Sequence, residues 1–442
     1  MLKFILTGGR ALEGSVDVSG AKNAVLPIMA AAMLTSDEVV LEDVPDLLDV
    51  TTMRRVLETM GARITRTGSV LRIQAPAVPS AEAPYDLITK MRASIVIMGP
   101  ILRRAGYIRI PPPGGCAIGS RPINWHLKGL EALGARISMD HGFLDARAER
   151  LRGARIYLDF PSVGATENIM MAAVCAEGTT VLENAAQEPE IVDLANFLNE
   201  MGGRIRGAGT NVVQIQGVSS LRGATHSIIP DRIEAGSFIL MAAACGGDVL
   251  VRNVIPAHLR PLLAKLQEMG VSFCEKDDGI RVWGEGRLRA VDIKTQTHPG
   301  FPTDLQAPAL ALLTRAQGTS VITETVFENR FMHVEELRRM GADIRVDGRS
   351  AILRGQENLS AATVTASDLR AGAALVLAAL TAEGVSEIRN IYHIDRGYEG
   401  MEAKLRGLGA DIRRVPAAAQ PENDIPAPGA AERGNKLCLL PR

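Results

Sequence analysis

Aromatic residues are scarce: Phe, Tyr and Trp make up 4% of the 442 residues, although hydrophobic residues as a whole reach 46%. A large core is therefore available, but it has to be built from Ala, Val, Ile, Leu and Met. Net charge is also missing. The formal balance of -1 gives no global attraction to nucleic acid or to an anionic membrane. No apolar run approaches the roughly 18 residues that a membrane span needs, and MLKFILTGGR is too short an apolar stretch for a signal peptide. The five cysteines, Cys116, Cys175, Cys245, Cys274 and Cys438, are odd in number and form no CxxC. This argues against a disulfide framework or a zinc site, and for a reducing compartment. The seven histidines are dispersed without ligand spacing. No GxGxxG or P-loop opens a helix. These absences point to a soluble, cytoplasmic protein with no cofactor and no metal. Lysine is rare as well, 9 against 40 arginines. Arginine suits bidentate binding of phosphate and carboxylate, and high-GC codon usage gives the same bias.

What the chain does contain is a repeat. The phrase L-x-x-M/L-G-A-x-I occurs as LETMGARI from Leu57, LEALGARI from Leu130 and LNEMGGRI from Leu198, then as LQEMGVSF from Leu266, LRRMGADI from Leu337 and LRGLGADI from Leu405. Spacings of 68 to 73 residues across six copies mark repeated units. Each copy reads as the end of an amphipathic helix, a glycine cap and the start of a strand. Before each copy lies a small-residue helix that is apolar nearly all round, such as NAVLPIMAAAML from Asn23 or DLRAGAALVLAALTAEG from Asp368. A helix of that kind is buried. The expected architecture is α/β, with buried helices at the centre, sheets around them and amphipathic helices outside. The six units split into three and three, with the second half starting near Ser227 to Asp231. Residues 416–442, rich in Pro and Ala, read as a disordered tail.

The stretch IPPPGGCAIGSRP, from Ile110 to Pro122, can hold neither a helix nor a central strand. It reads as a loop with stiff ends and a hinged middle. Cys116, five residues from Arg121, is either a working thiol or a buried small hydrophobe. The residues at the starts of the buried helices form a second set: Lys22, Arg92, Ser162-Val163-Gly164, Asp231-Arg232, Asp304, and Asp368 with Arg370. Helix N-termini favour anions, so two converging sets would line a cleft for a small, multiply charged anion. Ser162 and Asp304 taken singly also fit as simple N-caps. Lys22 and Arg92 gain nothing as caps.

With SGAKNA (Ser19 to Ala24), PGGCAIGSRP (Pro113 to Pro122), SVGATEN (Ser162 to Asn168), ENAAQEPEIVD (Glu183 to Asp193), FPTD (Phe301 to Asp304), ITETVFENRFMHV (Ile322 to Val334), SDLRAG (Ser367 to Gly372) and YHIDRGYE (Tyr392 to Glu399), the chain resembles the enolpyruvyl transferases of the UDP-N-acetylglucosamine 1-carboxyvinyltransferase type. The resemblance covers about residues 1 to 414. It implies a two-domain inside-out α/β barrel of six repeated units. One domain would hold residues 1–21 with 229–415, the other 22–228 with the Cys116 loop. It further implies transfer of the enolpyruvyl group of phosphoenolpyruvate to the 3-hydroxyl of UDP-N-acetylglucosamine, with release of phosphate by addition and elimination. That reaction is the first committed step of peptidoglycan synthesis.

The resemblance also assigns residues. Cys116 is the general acid, and a thiol of pKa about 8.5 is ~97% protonated at pH 7. Asp304 takes the sugar hydroxyl proton. Lys22, Arg121 and Arg396 face the donor's phosphate, with Arg330 and Arg370 nearer its carboxylate. The nucleotide sugar is assigned to Asn23, Arg92, the run Arg121, Pro122, Ile123, Asn124 and Trp125, then Ser162, Val163, Gly164, Asp304 and the backbone at Val326. Covalent inhibition by fosfomycin at Cys116 is expected. Three departures stand out. Asn124 replaces a frequent aspartate, Trp125 a smaller aliphatic residue, and Leu48 a frequent lysine. The alternatives are the sister reaction on shikimate 3-phosphate and a non-catalytic regulator that binds the nucleotide sugar. The loop cysteine argues against the first, and retention of Cys116 and Asp304 against the second.

Overall fold

The computed structural model describes residues 2–114, 118–119, 122–284 and 288–416. The tail expected at 416–442 lies outside the described residues from 417 onward. Six helices form the interior: α1 (Lys22–Ala31), α2 (Met98–Ala105), α3 (Val163–Ala173), α4 (Arg232–Cys245), α5 (Gln306–Leu313) and α6 (Leu369–Thr381). Their burial follows from composition, since Ala, Gly, Leu and Met present no polar face. Every residue of α5 is buried, and in α6 all but Leu369. Two of these helices begin differently from expectation. The run from Ala93 does not open as an α-helix: Arg92–Ile97 winds as a tighter 3-10 segment before α2, and Thr303–Leu305 does the same before α5. Such turns are common where a helix starts.

The repeat appears as six outer helices: Leu48–Thr59, Asn124–Ala132, Pro189–Glu200, Arg260–Met269, Val334–Arg339 and Met401–Gly407. The repeat leucines Leu57, Leu130, Leu198, Leu266, Leu337 and Leu405 are all fully buried. The glycine that follows each helix, at 61, 134, 202, 270, 341 and 409, takes a φ between +85° and +101°, which L side chains rarely adopt.

Around the inner helices lie separate small sheets. Among the described residues they do not join into a closed ring of strands; five are mixed four-stranded sheets, one is a three-stranded antiparallel sheet and one a two-stranded parallel ribbon. In place of the closed barrel that the resemblance implies, the described residues form separate sheets. The chain's first strands pair with its last. Leu2–Thr7 runs antiparallel to both Val385–Arg389 and Asp411–Pro416, and Leu12–Asp17 runs parallel to Gly247–Arg252. Two hydrophobic cores result, one from residues 21 to 228 and one from residues 4 to 18 with 233 to 412. The two chain crossings between them lie side by side, where the Ala21 N–H donates to Ile229 O at 2.7 Å and the Asp231 N–H to Ser19 O at 2.9 Å.

Close approach in the first core depends on a missing side chain. Helix α2 meets α3 at Gly99, whose N–H donates to Asn168 Oδ1 at 2.6 Å. A Cβ there would stand 2.4 Å from Asn168 O. Gly99→Ala is therefore expected to lower stability by about 1–3 kcal/mol, read from urea unfolding. A second prediction concerns His226, buried against Phe197, with Nε2 3.1 Å from Asp193 Oδ1 and Nδ1 2.8 Å from Glu200 Oε2. Burial alone would lower its pKa, but the two carboxylates outweigh it and the net shift is upward. A raised histidine stabilises fully below its unfolded pKa of about 6.5, and that contribution fades as pH rises through the folded value. The urea midpoint should fall more between pH 6 and pH 9 in the wild type than in His226→Gln.

Candidate active site

Four of the six inner helices start on the wall of one cavity of about 890 Å³, and the 3-10 segments that lead into the other two start there as well. Lys22 and Asn23 open α1, Arg92 the segment before α2, Ser162 to Gly164 α3, Arg232 α4, Thr303 and Asp304 the turn before α5, and Asp368 to Arg370 α6. Helix starts present unpaired N–H groups and a partial positive charge, so their convergence favours an anion before any side chain is counted. The first core supplies one wall and the second core the other.

The side chains sharpen that field. Asp304 holds two guanidiniums: Arg330 Nη2 donates to Oδ1 at 2.6 Å and Arg370 Nη2 to Oδ2 at 2.9 Å. Both arginines are buried, and Asp304 keeps 26% of its side chain open to the cavity. Burial pushes the Asp304 pKa up, but the two arginines prevail and hold it well below the usual carboxylate range. Asp304 makes no N-cap bond, so the cap reading fails for it. Ser162 does cap, accepting from Ala165 N at 3.4 Å. Among the described residues, Nε of both Arg330 and Arg370 is buried without a hydrogen-bond partner, which leaves donor capacity unspent.

A second carboxylate mirrors the first. Asp49 Oδ2 lies 2.6 Å from Lys22 Nζ, and Oδ1 accepts from Arg396 Nε at 2.8 Å. Burial, with Arg370 and Arg396 nearby, lowers the Lys22 pKa while Asp49 opposes that shift. Asp49 itself titrates below its ordinary value, because its two cations outweigh its burial. Sequence reasoning passed over Asp49 in favour of its neighbour Leu48, which is exposed at the helix start. On a further side stand Glu167, Glu188 and Glu190. Burial, then repulsion from Glu190 and Glu188, pushes Glu167 well up; Arg232 Nε pairs with Glu190 at 3.0 Å.

The cavity wall brings together Lys22, Asn23, Arg92, Pro122, Trp125, Ser162, Val163, Gly164, Asp304, Val326, Arg330, Arg370 and Arg396. It leaves out two residues of the RPINW run. Asn124 is exposed as the first residue of its helix, and Ile123 packs on the first core. Trp125 stacks on Phe160, centroids 5.5 Å apart and planes 23° apart, forming an aromatic edge on the cavity. The Val326 N–H is engaged by Glu324 Oε1 at 2.8 Å, so its carbonyl is the group left to offer. Cys116 and Arg121 lie outside the described residues. Their neighbour Ile118 is buried and its carbonyl accepts from Asn329 N at 3.1 Å, so this end of the loop touches the opposite wall.

A family model described as EPSP synthase (3-phosphoshikimate 1-carboxyvinyltransferase) matches residues 6–405. The chain belongs to the enolpyruvyl transferase family. A curated relative from Carboxydothermus hydrogenoformans, named UDP-N-acetylglucosamine 1-carboxyvinyltransferase 2, is 60% identical over 94% of this chain and 100% of its own length. One from Caldanaerobacter subterraneus subsp. tengcongensis, named UDP-N-acetylglucosamine 1-carboxyvinyltransferase 1, is 59% identical over 93% of this chain and 99% of its own. Among solved structures, the enolpyruvyl transferase NikO from Streptomyces tendae superposes with a TM-score of 0.85 at 27% identity, covering 94% of this chain and 99% of that one. An EPSP synthase from Acinetobacter baumannii reaches 0.73 at 17% identity over 94% of this chain and 100% of its own, a likeness of fold. The chain is accordingly a transferase, and no helix among its described residues is long and apolar enough to cross a membrane.

In this family member, Asp304→Asn leaves two buried guanidiniums facing each other. Breaking a fully buried pair costs roughly 3–5 kcal/mol. With one side of Asp304 open, a loss of about 2 kcal/mol is expected in urea unfolding at pH 7.5, and millimolar sulfate should restore part of it.

Proposed function

We infer that this transferase moves the enolpyruvyl group of phosphoenolpyruvate onto the 3-hydroxyl of UDP-N-acetylglucosamine and releases phosphate. In a cell this would be the first committed step of peptidoglycan synthesis, carried out in the cytoplasm without nucleic acid or membrane as partner. The observation that carries the reading is the pairing of four cations, Lys22, Arg396, Arg330 and Arg370, with two carboxylates on a cavity ringed by the starts of six helical segments. A donor with a phosphate at one end and a carboxylate at the other matches two cation pairs. The curated relatives' names favour the nucleotide sugar over shikimate 3-phosphate as acceptor.

The chemistry then follows from the groups available. The sugar oxygen adds to the donor's central carbon while its methylene carbon takes a proton, giving a tetrahedral ketal. Loss of a proton from the new methyl group and departure of phosphate restore the double bond. Cys116 supplies the first proton in this reading; a positioned acid is worth roughly 10² to 10⁴ in rate. Asp304 receives the sugar's proton. Held by two arginines it is a weak base, so the donor's carboxylate, by drawing on Arg330 and Arg370, would restore its basicity. The cations hold the charge that develops as the ketal forms and collapses. Asn23, Arg92, Pro122, Trp125, Ser162 to Gly164 and Val326 would seat the nucleotide sugar, with Arg121 beside the phosphate. The two bodies, 1–21 with 229–415 and 22–228, would close over both substrates, shutting out water. Fosfomycin is expected to alkylate Cys116, since an epoxide reaches what an acid at that position reaches.

Phosphate release from phosphoenolpyruvate with UDP-N-acetylglucosamine tests the reading. The wild type should release phosphate, and Cys116→Ala should lose about 10²-fold or more in rate. Release only with shikimate 3-phosphate would make this the sister enzyme. Equal release by both proteins would move the acid elsewhere.

A further inference from the structure

Asp49 occupies a place the reaction does not require. It is 3% exposed, and both of its oxygens are engaged: Oδ2 by Lys22 Nζ at 2.6 Å and by Arg396 Nη2 at 3.3 Å, Oδ1 by Arg396 Nε at 2.8 Å. Lys22 and Asp49 belong to the first core's elements and Arg396 to the second's, so the carboxylate also ties the two walls together. Lys22, Arg396 and Asp49 sum to a single positive charge. An incoming phosphate dianion drawn to Lys22 and Arg396 meets a carboxylate already seated between them. Two anions cannot share these short contacts without strong repulsion.

We propose that Asp49 is an internal counter-anion of the phosphate subsite. It yields Lys22 and Arg396 to the donor's phosphate and takes them back as inorganic phosphate departs. This rests on the reading that phosphate is released at that subsite. Between turnovers Asp49 stays paired with Lys22 and Arg396, and after each one it competes with the leaving product. A purely structural Asp49, one that only holds Arg396 in place, predicts the opposite response to its removal.

The deciding measurement is calorimetric titration of inorganic phosphate into the full chain at pH 6.5 for wild type, Asp49→Asn, Asp49→Ser and Asp49→Glu. The neutral variants should bind phosphate about tenfold more tightly than wild type, and phosphate should inhibit their residual turnover at correspondingly lower concentration. Asp49→Glu, which keeps the charge, should stay within about threefold of wild type. Unchanged or weaker phosphate binding in the neutral variants overturns the proposal. So does failure of both neutral variants to fold, because that would make Asp49 a residue of the fold. The titration needs no turnover. A wild type that releases no phosphate from phosphoenolpyruvate therefore defeats the functional reading, whereas an active wild type with an unmoved phosphate affinity defeats the Asp49 proposal alone.

Discussion

The structure depends on keeping positive charge alive inside a largely buried cavity. A lysine or arginine taken out of water loses solvation and tends to shed its proton or resist burial. Here Lys22, Arg330 and Arg370 are 8%, 5% and 2% exposed, close to helix starts that add positive potential of their own. Asp49 and Asp304 make that arrangement tenable. Each sits between two cations and is held ionised by them. Each of these two clusters therefore keeps one net positive charge, while no cation in them faces the interior without a carboxylate beside it.

That charge is focused because the inner helices can converge. Six helical segments can start on one cavity only if the helix bodies pack closely, and close packing needs small residues. Gly99 against Asn168 shows the limit, as does Gly372, whose Cβ would meet Ile394 at 2.5 Å. Alanine-rich helices with so few aromatics have little bulk to separate them. The scarcity of Phe, Tyr and Trp is in this sense a condition of the site. Near the site, Trp125 and Phe160 border the cavity, whereas Tyr398, beneath Arg370, is part of the second core.

Much of this was legible in the chain itself. Six copies of one phrase gave the outer helices, their buried leucines and their left-handed glycines, because that pattern of leucine and glycine admits few other structures. The inner helices were legible from composition, and their starts from the residues preceding them. What escaped was pairwise. Asp49 carries no local signal, being one acid on an ordinary amphipathic helix, and its importance comes from Arg396, 347 residues later. Asn124 shows the converse. It sits within a motif, yet the turn that opens its helix places it in solvent. Asp304 looked like a cap and is instead an ion-pair partner, because a 3-10 turn, not an α-helix, begins there.

The pairing of the chain's first strands with its last bears on how the protein comes into being. Leu2–Thr7 and Leu12–Asp17 are synthesised hundreds of residues before the strands that receive them, Gly247–Arg252, Val385–Arg389 and Asp411–Pro416. The core of residues 21 to 228 can assemble while synthesis continues, since its partners are all present by then. The other core has to wait with two strands in hand and unpaired edges on each, the kind of surface that invites wrong partners. Leu6 and Leu12, fully buried at the end, spend that interval in water or in the grip of whatever shields nascent chains.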